Sequence, residues 1–416
     1  MTDTSGQRAM PISAGERSTL LDALRGYALL GILIANMAAF IGFYFVEDAE
    51  RSRLLLSQFD DLSEFLVEWL VVGKFYSIFS LLFGIGFAIQ LGRLEQRGEG
   101  VPRYLRRLFF LFLIGLAHLL LLWLGDIVAL YALMGAVLLL FRNVGDKALL
   151  RWAVALWLIP IAWSALIHFG GVNLANPIYQ HAEAGFIAMG FDLRQGPLIF
   201  FQTGTLADHI RSHRADVFFR LGDLVYQMRF TKVLGMFLIG LWVGRRALYA
   251  NLDRYQPLLR RTAILGLSLG LPLSAAKAVL AMWPGESPAI EFASEVAYVL
   301  GTPTLALGYA AGFALLWRKG RMGLLKWAAP AGQMALTNYL MQTIIQSAIF
   351  YGWGLGLIGK YGLVFVFPLS IALFALQVAY SRWWLARYRF GPVEWLWRSL
   401  TYGKRQPMRL ENASAA

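Results

Sequence analysis

Several polar side chains stand inside otherwise apolar runs of this chain, where ionisable groups are costly and usually have a job. His118 interrupts the run Leu108–Leu124, Asn36 lies in the first run, and Asn338, Gln342 and Gln346 repeat every four residues in a late one. At 1.5 Å per helical residue, His118 lies about 21 Å and Asn36 about 24 Å from the basic ends of their runs. Asn338 and Gln342 lie about 16 and 22 Å above Trp327, and Lys74 falls near mid-depth. Groups from four helices in one depth band imply a buried polar pocket. A histidine there could exchange a proton near working pH, and amides could hydrogen-bond a developing charge. Arg25 and Asn36, eleven residues apart, share nearly one helix face and sit about 16 Å apart along it. That face could hold an anion near one end and a hydrogen-bonding group deeper in.

Simpler readings stand beside these. An intramembrane His also serves as a helix-to-helix hydrogen bond, and Asn36 and the Asn338/Gln342/Gln346 stripe read as packing contacts. Arg25 and Lys277 could snorkel to an interface. Ser80, Gly84 and Ala88 have the spacing of close helix packing. Asp126 could be a turn residue; a continuous helix would put it about 12 Å from His118, so the two pair only if the helix breaks. His209 and His213 share a helix face with metal-ligand spacing, but Arg211, Arg214 and Arg220 in the same stretch favour a solvated amphipathic helix, and no metal is expected. No nucleotide-binding glycine loop, zinc-protease motif or nucleophile elbow is present.

The elements that would position these residues are membrane spans. Hydrophobic residues make up 58% of the 416 and charged ones only 15%, against about a quarter charged in soluble proteins. Apolar runs long enough to cross a bilayer recur at roughly 20–44, 62–92, 104–125, 127–141, 148–169, 230–244, 262–283, 293–317, 327–350 and 362–385. The second and ninth are long enough to tilt or to contain an interfacial turn. With the N-terminus inside, the inner segments hold 26 Lys or Arg and the outer ones 8, and Glu47, Asp48, Asp60, Asp61, Glu286 and Glu295 lie outside. The fold class expected is therefore an all-α integral membrane protein of about ten transmembrane helices with both termini cytoplasmic. Its parts are a cytoplasmic N-terminus (1–19), helices one to five (20–169), an extracytoplasmic segment (170–229), helices six to ten (230–386) and a cytoplasmic interfacial tail (387–416). The net charge of +13 follows this topology and not a nucleic-acid surface. The absence of cysteine excludes disulfides and thiol catalysis. The first apolar run, carrying Asp22 and Arg25, reads as an uncleaved helix and not a signal peptide. Pro272 and Pro303 are expected to kink their helices.

Leu21-Asp22-Ala23-Leu24-Arg25-Gly26, leading to Asn36, resembles the first-helix signature of the transmembrane acyltransferase superfamily. Lys74–Gly84, Gly115–His118 running to Trp123–Ile127, Met334–Tyr339 and Gly391–Arg398 resemble its YeiB branch, a domain of unknown function. The resemblance implies a membrane-embedded acyltransferase fold that passes an acyl group, such as acetyl, from cytoplasmic acyl-coenzyme A to an acceptor. One branch of the superfamily has a catalytic His where Asn36 stands; a second, heparan-glucosaminide acetyltransferase-like branch has Asn there and its His elsewhere. On this reading His118 is the general base, Asn36 and Asn338 are oxyanion donors, Arg25 and Lys74 bind coenzyme A phosphates, and Gln342 and Asp126 line the substrate pocket. The expected partners are the bilayer and a small-molecule or sugar acceptor, with a homo-oligomer as an option, in the plasma membrane if the source is bacterial. The rival readings are a transporter or channel for a small polar or anionic solute, and a non-catalytic membrane protein that recognises a partner through 170–229.

Overall fold

The computed structural model describes residues 19–96, 98, 100–192, 196–282, 287–320 and 322–410. Most of the expected N-terminal segment, Glu286 and the last six residues of the tail lie outside the described residues. Among these residues eighteen α-helices follow one another. The first half holds α1 (Thr19–Ile41), α2 (Asp48–Arg51), α3 (Asp60–Leu70), α4 (Lys74–Gln96), α5 (Gly100–Leu121), α6 (Val128–Leu138) and α7 (Asp146–His168). Then come α8 (Asn176–Ala188), α9 (Gly196–Thr203), α10 (Leu206–Tyr226), α11 (Arg229–Arg245), α12 (Gln256–Leu280) and α13 (Pro288–Arg318). The chain closes with α14 (Met322–Trp327), α15 (Ala329–Gln333), α16 (Ala335–Phe350), α17 (Val366–Leu385) and α18 (Pro392–Tyr402). Among the described residues the only strand-like pairings are two isolated bridges.

Among the described residues seven helical stretches are long and apolar enough to cross a membrane: Thr19–Phe45, Ser57–Gln96, Gly100–Leu121, Asp146–His168, Gln256–Leu280, Pro288–Arg318 and Leu363–Leu385. The chain is therefore a multi-pass membrane protein. The shorter helices α6, α11 and α16 pack among these seven. Two runs that read as single long spans are interrupted. The second breaks between α3 and α4, where Gly73 takes a φ of 86°. The ninth breaks at Met334, between α15 and α16. Pro272 and Pro303 both stay inside continuous helices.

Small residues set the helix separations, as they do where lipid offers no hydrophobic drive for association. Gly84 and Ala88 of α4 meet Gly240 and Gly244 of α11, while Ser80 of the same stripe bonds the Tyr131 hydroxyl of α6; a Cβ on Gly84 would come within 2.2 Å of the Phe237 carbonyl oxygen. The segment between α7 and α11 folds into α8, α9 and α10. Of these, α10 starts on a Thr205/Asp208 capping box and joins α11 across a 64° bend. It buries His209, Ser212 and His213, so it is a packed element and not a freely solvated one.

Candidate functional site

The site begins with a helix that stops. α5 ends at Leu121, where the amides of Leu122 and Trp123 both turn back to the His118 carbonyl, at 2.9 and 3.0 Å. The chain reverses through Trp123-Leu124-Gly125 and enters α6 just after Asp126. One carboxylate oxygen of Asp126 accepts from the Ala129 amide at 2.8 Å, satisfying a donor that the start of α6 leaves open. The other lies 2.9 Å from Nδ1 of His118. The eight residues that would hold the two apart on one helix thus bring them together across a hairpin. Gly115, one turn before His118, makes room for this: a Cβ there would lie 2.3 Å from the Ala129 nitrogen.

His118 and Asp126 are 1% and 3% exposed. With Asp126 ionised, its carboxylate only accepts; the tautomer this assigns has the proton on Nδ1 and the lone pair on Nε2. Nε2 lies 2.9 Å from Oγ1 of Thr343 on α16. From α10, Arg220 donates to the Asp126 carbonyl oxygen at 2.7 and 3.1 Å and pairs with Asp223 at 2.8 Å. The hairpin is therefore clamped from above by a guanidinium that is itself held.

Beneath this pair opens a cavity of about 270 Å³. Its shaft is apolar, with Leu29, Ile32, Phe83 and Leu111 on its walls, and its inner end meets Ile127, Val128 and Tyr339. Tyr339 is the partition: it lines the cavity, and its ring centre is 5.2 Å from that of His118. The mouth carries Arg25, Arg93, Arg107 and Arg398 against only Asp22 and Glu394. Both carboxylates are committed. Asp22 pairs with Arg25 at 2.7 Å, and Glu394 accepts from the Leu336 and Thr337 amides and the Thr337 hydroxyl, capping α16 from another helix. The mouth, here called the basic end, therefore presents net positive charge to an apolar shaft. The tail does more than anchor at an interface, because α18 roofs this mouth: the Trp397 indole donates to the Arg107 carbonyl at 2.8 Å and stacks under its guanidinium at 3.6 Å.

The other residues singled out from sequence fall differently. Arg25 lines the cavity. Asn36 is half-buried one turn beyond Ile32 on the same face of α1, does not line the cavity, and its side chain makes no hydrogen bond among the described residues. Asn338 and Gln342 do not face the cavity. The Asn338 amide donates to the Ala331 carbonyl and Ser381, and Gln342 donates to Gln377 at 2.8 Å, so the stripe bridges α16 to α17. Lys74 is also elsewhere. It starts α4, about 29 Å along the helix from Arg93 at the mouth, and its ammonium donates to the Glu68 carbonyl at 2.7 Å. A lysine there cannot join Arg25 on one phosphate. The rings of His209 and His213 go to different partners: His209 stacks on Phe201 and Tyr351, and His213 meets the Leu120 carbonyl at 3.2 Å. Thr343, Arg107 and Gln377 were not signalled by the sequence, and Arg220 was read only as part of a solvated helix face; each becomes meaningful only through a partner on another helix.

Residues 243–404 match a family described as a protein of unknown function, DUF418. Over 412 residues the chain is 32% identical to the uncharacterized protein YxaH of Bacillus subtilis, covering 96% of this chain and 97% of that one. The chain belongs to the YeiB-like DUF418 family. The uncharacterized YeiB of Escherichia coli is 30% identical over 408 residues, 93% of this chain and 96% of its own. A 39.9 kDa uncharacterized protein of Bacillus acidopullulyticus is 28% identical, covering 96% and 98%. No solved structure matches. The DUF418 segment holds Tyr339, Thr343 and Glu394. Arg25, His118 and Asp126 of this YeiB-like chain precede it and fall within the full-length similarity.

Proposed function

We propose that this protein is a membrane-embedded acyltransferase that moves an acyl group from acyl-coenzyme A to a hydroxyl or amine acceptor. The observation that carries the reading is a buried His118–Asp126 pair that lies behind Tyr339, itself part of the wall of an apolar cavity lined at one end by arginines. Arg25, Arg93, Arg107 and Arg398 suit a phosphorylated donor, and guanidinium groups bind phosphate with charge-assisted bonds. At about 270 Å³ the shaft is near the small end of ligand pockets (about 300–1,000 Å³). It suits an acyl chain and its thioester arm, with the nucleotide left at the mouth. His118 serves as the base, and Asp126 fixes its tautomer and balances the imidazolium that forms. Asn36, with its side-chain amide uncommitted, is kept as the oxyanion donor; Asn338 has spent both amide protons elsewhere.

In this reading the chain crosses the plasma membrane ten times, with both termini and the basic mouth in the cytoplasm, where acyl-coenzyme A is made. The natural absence of cysteine makes this easy to check. Asn173→Cys is expected to react with a membrane-impermeant maleimide on intact cells, and Lys404→Cys only after permeabilisation; the reverse pattern inverts the topology.

Binding is tested with acetyl-coenzyme A and thermal unfolding in detergent. The wild type should be stabilised saturably, and Arg25→Ala should bind at least about tenfold more weakly, a loss of about 1.4 kcal/mol. The loss should shrink as salt is raised, because exposed charges at the mouth are screened. A folded wild type indifferent to acetyl-coenzyme A would remove the main support.

The interruptions at Gly73 and Met334 favour a second reading, transport of a small anionic solute, since broken helices recur at transporter binding sites. Uptake by proteoliposomes without thiol release would select it.

A further inference from the structure

The hydroxyl of Thr343 does not do what hydroxyls in helices usually do. Such a group commonly returns its proton to the carbonyl one turn back. Ser80 does so to Tyr76 at 2.8 Å, and Thr304 to Leu300 at 2.6 Å. Thr343 is 2% exposed, and its side chain has a single hydrogen-bond partner among the described residues, Nε2 of His118 at 2.9 Å. With Nδ1 protonated toward Asp126, the neutral ring can only accept at Nε2, so the Thr343 proton points at the base. Asp126, His118 and Thr343 thus form the hydrogen-bonded series carboxylate–imidazole–hydroxyl, in which each member sets the protonation of the next. They come from three separate parts of the chain: the α5–α6 turn, α5 and α16.

This arrangement also occupies Nε2, the atom that any acceptor hydroxyl would need. An acceptor cannot deliver its proton there while Thr343 holds the position. We infer that Thr343 is itself the first nucleophile, a catalytic residue that carries the acyl group between donor and acceptor; this rests on the acyl-transfer reading above. In the first half-reaction Thr343 Oγ1 bonds to the thioester carbonyl carbon and its proton passes to His118. The carbon–sulfur bond breaks, and coenzyme A leaves as the thiol with that proton. In the second, an acceptor hydroxyl or amine adds to the Thr343 ester and gives its proton to His118. The carbon–oxygen bond to Thr343 then breaks, and Oγ1 recovers the proton. Nothing is oxidised or reduced.

The surroundings fit two half-reactions separated in time. Thr343 lies one turn beyond Tyr339, about 6 Å along α16 from the cavity's end wall. The donor must turn the Tyr339 ring aside to reach it. On the other side α10 covers the hairpin, with His213 on the Leu120 carbonyl and Arg220 on that of Asp126. A covalent ester lets the donor leave by the basic mouth before an acceptor arrives past α10, so the two need never occupy the site together.

The test uses full-length protein in nanodiscs with acetyl-coenzyme A, first alone and then with hydroxylamine as a surrogate amine acceptor, corrected for its uncatalysed reaction. The wild type should release one equivalent of thiol in a burst and carry one acetyl group on Thr343, located by peptide mass after an acid quench. Thr343→Ser should keep both signals; Thr343→Val and His118→Ala should show neither. Thr343→Val acetylating hydroxylamine within about threefold of the wild-type rate overturns the nucleophile assignment alone. So does a wild type that turns over with no burst and no adduct; Thr343 is then a positioning residue. A folded wild type that neither releases thiol nor transfers acetyl overturns the inference and the acyl-transfer reading together.

Discussion

Asp126→Asn is expected to lower acyl transfer by about four orders of magnitude while leaving the protein folded. The size follows from what the two carboxylate oxygens do. One accepts from the Ala129 amide at 2.8 Å and the other from His118 Nδ1 at 2.9 Å. Asparagine has only one carbonyl oxygen for these two positions. The backbone N–H of Ala129 cannot become an acceptor, so the oxygen stays there and the new NH₂ turns to His118. Nδ1 must then accept, the proton moves to Nε2, and the ring can no longer take a proton from Thr343. The cap on α6 survives, so thermal stability should fall by no more than about 1 kcal/mol. The check is thiol release per folded molecule, with unfolding followed in parallel. A variant that keeps more than about a tenth of wild-type activity would separate Asp126 from the chemistry.

Gly115→Leu is expected to destroy the fold around the site, at a cost of at least about 3 kcal/mol. The added Cβ would meet the Ala129 nitrogen at 2.3 Å, the Ala129 Cα at 2.8 Å and the Val128 carbonyl carbon at 2.9 Å. All three are backbone atoms, which cannot swing aside as a side chain can. α6 must move off α5, and Asp126 moves with it, which leaves His118 buried without its carboxylate. Gly312→Ala on α13 is the control, because a Cβ there meets nothing within 4 Å, and it should be neutral or slightly stabilising. Expression level and detergent unfolding temperature read out both variants. Gly115→Leu unfolding at the wild-type temperature would show that the α5–α6 approach is not required.

The sequence picked out His118 and Arg25 better than it picked out their partners. Polarity at positions 36, 118 and 338–346 in apolar runs pointed to buried contacts, and the first-helix Asp22/Arg25 pair does stand at the cavity mouth. The His118–Asp126 pair was legible only as a condition, because helical arithmetic separates the two unless the helix breaks. Nothing in Leu119–Trp123 is a strong breaker; the turn depends on Gly125 and on Gly115 admitting α6. Thr343 gave no signal, since a neutral hydroxyl in an apolar helix ordinarily satisfies itself. The Asn338/Gln342/Gln346 stripe was identified as one face, but Gln377 and Ser381 on α17 determine what that face meets. Lys74 was placed too near the other groups because 62–92 read as one helix. The break at Gly73 makes Lys74 the first residue of α4, far from the mouth.

The most direct test of the acyl-transfer account is steady thiol release from acetyl-coenzyme A, with a total membrane and sugar extract as acceptor, by purified wild-type protein in nanodiscs, beside His118→Ala. The account predicts wild-type release above the uncatalysed background, falling by at least about a hundredfold in His118→Ala. Equal rates in the two folded proteins, or no release from a wild type supplied with a total membrane and sugar extract as acceptor, would contradict it.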